Sequence, residues 1–247
     1  MHSQRVSSVA VISQPSGMEA EVCLVLEKKP TRIKQKLKTL YQYIENYPSG
    51  WKKRLKLADL LYKTGDWQPA IEQYRQVMER QPQVIEVYLR LGKILQLMAQ
   101  PVEAARVYEQ ALSHIRYEPT QAHIRGLIAV CNWDLEAAVG FFESAASLEP
   151  ENPSHWLALG RVQMARKDAA AALEVYERIL ARYPDNIVAA GDRFDALMAL
   201  GHVEEAQEQL NRLMELAPND VRVQRRQEEQ GWSTDRTNAY SASRGNG

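Results

Sequence analysis

The stretch PSHWLALGRVQMARKDAAAALEVYERILARYPDN, residues 153–186, decides the fold. Its first half sets Trp156, Leu159 and Gly160 at helical spacing. Its second half sets Ala172, Tyr176 and Ile179 along one apolar stripe. Pro184 cannot donate to a helix interior and ends the second helix. The stretch therefore reads as helix, short turn, helix, with small residues on both helices where two backbones approach closely.

Moving outward one window at a time recovers the same pattern over 51–84, 85–118, 119–152, 153–186 and 187–220. Alanine holds one place throughout, at Ala70, Ala104, Ala138, Ala172 and Ala206. Four places on come Tyr74, Tyr108, Phe142, Tyr176 and Leu210, and three further Val77, Ala111, Ala145, Ile179 and Leu213. Twelve places before each alanine stand Ala58, Gly92, Gly126, Gly160 and, as the exception, Phe194. Pro82, Pro150, Pro184 and Pro218 close four windows, while Arg116 stands in the second, where Pro119 is expected to end the helix three places late. In the first window the helices are expected at about 52–64 and 67–81, and then at the same step. Gly65-Asp66, Trp133-Asp134 and Gly201-His202 supply turns between them.

This pattern resembles the tetratricopeptide repeat (TPR) family, whose unit is a helix–turn–helix of roughly 34 residues. The resemblance covers 170 of 247 residues, most fully at Trp156, Leu159, Gly160, Ala172, Tyr176 and Pro184. Arg125 and Arg193 depart from it where the family prefers leucine, and Phe194 departs at a small place. The resemblance implies an all-α fold, an α-solenoid (right-handed superhelix) of five repeats with flanking cap helices. A helix pair cannot bury its stripe alone, so stacked neighbours build a continuous core.

The expected domains are an extension over 1–30, a basic leading cap helix over 31–50, repeats over 51–220, a cap helix over 221–230 and a disordered tail over 231–247. In the leading segment Ile33, Leu37, Leu40 and Ile44 fall at helical spacing, and Pro48 lies one window before Pro82. It has the phase of a second helix whose unit has lost its first. The runs Val9–Ile12 and Val22–Leu26, separated by Gln14-Pro15-Ser16-Gly17, have a hairpin pattern. A lone hairpin is marginal in water, so the extension is expected to be poorly ordered or hairpin-like. The polar tail has the composition of a disordered segment.

Charged residues make up 25% of the chain and no apolar run approaches the roughly 18 residues of a membrane span. Ser7, Ser8 and Ser13 interrupt any leader-like apolar stretch, so a cytoplasmic address is expected. Cys23 and Cys131 form no CxxC, and neither a disulfide framework nor a metal site is suggested. The five histidines make no i, i+4 pair, and eight places on one helix hold His123 and Cys131 about 12 Å apart. Gly-rich phosphate loops are missing, and the glutamates of the second helices read as a solvated face. No catalytic residue, metal or cofactor is expected, and the chain reads as a non-enzyme.

The family resemblance places the first helices on the concave groove. That face presents Leu55, Leu89, His123, Leu157 and Gly191, then Asp59, Lys93, Leu127, Arg161 and Asp195, then Tyr62, Gln96, Val130, Met164 and Met198. Lys56 and Arg90 add a basic edge. Some family members grip a C-terminal carboxylate with paired Lys and Asn; Leu55 and Asp59 stand where that clamp would start, which argues against it. The expected groove comprises Leu55, Asp59, Tyr62, Leu89, Arg90, Lys93, His123, Leu127, Leu157, Arg161 and Met164. The competing reading of any one of its leucines is inter-helix core.

Residues 28–56 hold ten basic residues against Glu45 alone, whereas 57–220 hold 15 basic and 24 acidic. This asymmetry has two readings, a solvated helix that terminates the solenoid and a second contact surface at Lys34, Lys36, Lys38, Lys52 and Lys53. The sequence thus reads as an adaptor, scaffold or assembly factor that binds a peptide or helix of a partner protein. The alternatives are a nucleic-acid-associated factor acting through 28–56 and a regulatory module of a separate enzyme.

Overall fold

The computed structural model describes residues 31–230, and every regular element among them is an α-helix. The hairpin-like extension over 1–30 and the tail over 231–247 lie outside the described residues. The helices are α1 (Thr31–Asn46), α2 (Trp51–Lys63), α3 (Trp67–Arg80), α4 (Ile85–Leu97), α5 (Pro101–Leu112) and α6 (Glu118–Cys131). They continue as α7 (Leu135–Leu148), α8 (Pro153–Ala165), α9 (Ala169–Arg182), α10 (Ile187–Leu200), α11 (Val203–Leu216) and α12 (Val221–Gln230).

Each helical hairpin follows from local chemistry. After α2, the N–H of Gly65 donates to the carbonyl of Tyr62 and that of Asp66 to the carbonyl of Leu61. This closure needs a left-handed residue just past the helix, the place glycine fills most easily. The positive φ recurs with the repeat, at Gly65 (81°), Ala99 (56°), Trp133 (59°), Lys167 (66°) and Gly201 (77°). The same pair of bonds returns after α6, α8 and α10. Asp134 and Asp168 then cap α7 and α9 by accepting from the N–H of Ala137 and Ala171, each at 3.0 Å. Pro119 plays a different part from the one expected. It lies in the first turn of α6, where its missing N–H costs nothing, and α5 has already ended at Leu112.

The described residues form two compact units that divide between Met98 and Ala99, so the second window contributes α4 to one and α5 to the other. In the first unit α1 to α4 pack consecutively, and Leu37, Leu57, Ala58, Leu61, Ala70, Tyr74, Val77, Leu91 and Ile94 are wholly buried. In the second, α5 to α12 pack consecutively, with α8 also touching α10. A cluster around Ala138, Phe142, Leu159 and Val162 adjoins another around Ala172, Tyr176, Ile179 and Ala189 through the shared Trp156 and Val175. Each large apolar side chain among these contributes about 1.5–3 kcal/mol on burial.

The alanine and glycine places are explained by this packing. A Cβ on Gly160 would lie 2.4 Å from the ring of Tyr176, and one on Gly126 would lie 2.6 Å from the ring of Phe142. The small residue of the first helix therefore seats the aromatic of the second. In the last hairpin the sizes are exchanged: Phe194 on α10 and Leu210 on α11 are both buried in one cluster. Its departure from the small place is thus compensated by leucine at the aromatic place. Arg125 is exposed, whereas Arg193 hydrogen-bonds Gln209 at 3.0 Å and Glu177 at 3.1 Å.

Candidate functional site

In the first unit, α2 carries Leu55, Asp59 and Tyr62, and α4 carries Leu89, Arg90 and Lys93. Asp59 accepts a hydrogen bond from the hydroxyl of Tyr74 at 2.7 Å and forms an ion pair with Arg90, which also pairs with Glu86. Burial is the largest single influence on Arg90 and opposes its charge, but the bonds to Asp59 and Tyr74 and the charges of Asp59 and Glu86 together outweigh it and push its pKa upward. Burial, then the bond to Asp59, raises the pKa of Tyr74. Asp59 and Arg90 therefore neutralise each other between neighbouring first helices. Leu55, Tyr62 and Leu89 are half-buried, and Lys93 is exposed.

In the second unit, α6 carries His123 and Leu127, and α8 carries Leu157, Arg161 and Met164. Leu127 and Val130 pack on one core cluster, Leu157 and Met164 on the next, while each remains half-buried. These residues are shared between core and surface. Arg161 reaches Asp192 on α10 at 2.7 Å, and Asp195 on α10 meets Arg226 on α12 at 2.6 Å. Both pairs join first-type helices at a sequence spacing of 31, the spacing at which Asp59 meets Arg90.

A partly buried polar chain escaped the sequence reading. Nδ1 of His123 lies 2.9 Å from Nδ1 of His155, and Nε2 of His155 lies 2.9 Å from Oε2 of Glu149. His123 also stands edge-on to Phe142, with ring centroids 5.2 Å apart. Desolvation first, and His155 second, push the His123 pKa down to about 4. Hydrogen bonds from Asn152 first and His155 next hold Glu149 below the usual carboxylate range. The pattern is satisfied when His155 donates from Nε2 to Glu149 and accepts at Nδ1 from His123. Only one proton lies between the two rings, so protonating both costs a bond and a buried charge. The histidines come from α6 and α8 at a sequence separation of 32, which a search for pairs within one helix does not reach. No group of three metal-ligating side chains occurs among the described residues.

The leading basic segment divides in two. Arg54, one of the ten basic residues of 28–56, is only 6% exposed; it donates to Gln73 Oε1 at 2.6 Å and to the Pro48 carbonyl at 3.3 Å. It is a strut between α2 and α3 and leaves the surface patch. Lys36, Lys38, Lys52 and Lys53 are exposed, and Lys34 is half-buried. Lys53 lies 5.4 Å from the ring centre of Tyr43 and Lys52 lies 5.6 Å from that of Trp51.

Models of the tetratricopeptide repeat match residues 54–83, 87–122, 125–187 and 163–227. A TPR protein of Parabacteroides merdae is similar in structure with a TM-score of 0.69, at 11% identity over 86% of this chain and 84% of that one. A thermophilic TPR protein of Thermus thermophilus gives 0.64, at 18% identity over 73% and 98%. The Homo sapiens cilia- and flagella-associated protein 70 is 29% identical over 124 residues, which are 44% of this chain and 11% of that protein. The chain therefore spans about a tenth of that relative's length. With the repeat register and the helical hairpins, these matches place the chain in the tetratricopeptide repeat family. Stacked repeats of this kind present extended surfaces that serve protein–protein interaction. Among the described residues, no helix is long and apolar enough to cross a membrane.

Proposed function

We propose that the protein is a non-enzymatic adaptor whose first-helix face holds a peptide or helix of a partner protein. The observation that carries this reading is the half-buried apolar strip Leu127, Leu157 and Met164 on α6 and α8, bordered by the Arg161–Asp192 pair. An unbranched methionine lets such a strip accept apolar side chains of several shapes. On the first unit Leu55 and Leu89 hold the place of Leu157 and Tyr62 that of Met164, while Asp59 and Lys93 hold that of Leu127. The paired charges beside them give a partner orientation more than affinity.

A photo-crosslinking residue in place of Leu127 or Met164 should capture the partner in cells, and one in place of exposed Glu143 on α7 should not. Capture from Glu143 alone would move the site to the second helices. The exposed Lys36, Lys38, Lys52 and Lys53 favour a second reading, an acidic partner or nucleic acid at the leading helices. Generic DNA or RNA should then bind purified protein at roughly 10⁻⁴–10⁻⁶ M in physiological salt.

A further inference from the structure

The turn between α1 and α2 gathers two arginines on one carbonyl. Arg80, exposed at the end of α3, and the buried Arg54 of α2 both donate to the Pro48 carbonyl. Arg54 also donates to Gln73, and its Nε has no partner. Among the described residues neither arginine forms an ion pair. Burial first, and the charge of Arg80 second, lower the Arg54 pKa, so two cations repel each other across this turn with no carboxylate between them.

The turn before α8 shows what is missing. It lies 102 residues on, three repeats, and sets Pro150, Glu151, Trp156 and Arg182 at the places of Pro48, Ser49, Arg54 and Arg80. Trp156 donates to the Pro150 carbonyl at 3.0 Å, as Arg54 does to that of Pro48 at 3.3 Å, and Arg182 forms an ion pair with Glu151. Among the five repeats arginine holds that place only at Arg80 and Arg182, since His114, Leu148 and Leu216 stand in the others. One of the two arginines meets a carboxylate. The other has the exposed hydroxyl of Ser49 in the carboxylate's place, a side chain too short and uncharged to pair with it. A phosphate ester on that hydroxyl lengthens the side chain and brings about −1.5 to −2 charge. Its oxygens accept the paired, charge-assisted bonds that a guanidinium gives.

We propose that Ser49 is a phosphorylation site whose phosphate takes the place of the Glu151 carboxylate and is held by Arg80, beside the charge of Arg54. The hydroxyl oxygen of Ser49 bonds to the γ-phosphorus of a nucleoside triphosphate carried by a separate kinase. The bond to the nucleoside diphosphate breaks, the diphosphate leaves with the electron pair, and the hydroxyl proton passes to a base of the kinase. The phosphate then ties the α1–α2 turn to the end of α3. It also offsets the charge of the neighbouring Lys52 and Lys53, so modification sets the sign of this surface.

The test installs phosphoserine in place of Ser49 in the full chain, by stop-codon suppression, and follows its phosphorus-31 resonance with pH. The phosphate should titrate at about pH 5, below its ordinary value of about 6. Arg80→Gln should return it most of the way, and Lys38→Gln should not. A titration unmoved by Arg80→Gln would overturn the proposal. In the unmodified chain Ser49→Glu should melt about 1–3 °C above Ser49→Gln, a gap that Arg80→Gln should close. Persistence of that gap without Arg80 would equally count against the site. Mass spectrometry of the protein from its native cells should find phosphate on Ser49. Finding Ser49 unmodified there, with inorganic phosphate shifting the Arg80 side-chain resonance, would overturn the covalent source and make the occupant a free anion.

Discussion

Gly65, Ala99, Trp133, Lys167 and Gly201 do one job with unequal ease. All take the left-handed turn that ends a first helix, and only glycine takes it without a Cβ clash. Nothing lies within 4 Å of a Cβ built on Gly65, so Gly65→Ala changes the backbone contribution alone. It should cost about 1 kcal/mol, and Lys167→Gly should gain about 0.5–1 kcal/mol, both read from urea midpoints at constant m-value. A null result for Gly65→Ala would mean that the turn relaxes into another conformation. Gly160 is constrained in the opposite way, by space. Gly160→Ala should cost about 1–3 kcal/mol, and adding Tyr176→Leu should recover part of it by a positive coupling in a double-mutant cycle. Additive losses would show that the ring is not what Gly160 makes room for.

Between elements, the chain from Glu149 through His155 to His123 ties α6 to α8 and makes their packing sensitive to acid. The folded pKa of His123 is depressed to about 4 from an ordinary 6.5, so the unfolded chain binds the extra proton between those values. The stability it contributes is complete above about pH 6.5 and is lost as pH falls towards 4. Glu149, also depressed, acts in the same direction at lower pH. Unfolding free energy should be about 2 kcal/mol smaller at pH 5 than at pH 7.5 from His123 alone. His123→Gln should remove most of that difference while leaving the helical circular dichroism at pH 7.5 unchanged. An unaltered pH slope in the variant would assign the sensitivity elsewhere.

For the whole molecule, division into two compact units predicts that stability is lost locally, as expected where contacts run mainly between neighbouring helices. A Gly160→Ala chain should lose hydrogen-exchange protection in α8 and α9 first, with α2 and α3 much less affected. Uniform loss from α2 to α11 would instead indicate one cooperative block. The TPR register was legible because identical places recur, and small, aromatic and proline places in phase leave little choice of helix ends. The first-helix strip was legible only as a face, since periodicity does not say whether Leu127 or Met164 points into the core or to its rim.

Sequence by itself determined the repeat length, the helical hairpins, three of the turns between them and the recurrence of small, aromatic and proline places. These depend on residues near in sequence or on places that return with every repeat. Only the tertiary structure decided that Arg54 is a buried strut and that Asp59 is neutralised by Arg90. It also brought His123 to His155. Such inter-repeat contacts join unlike places of adjacent units, at sequence spacings of 31 or 32, and depend on how helices cross and which rotamers their side chains adopt. A repeat pattern records which residues are equivalent; the angle between neighbouring helices determines which of them touch.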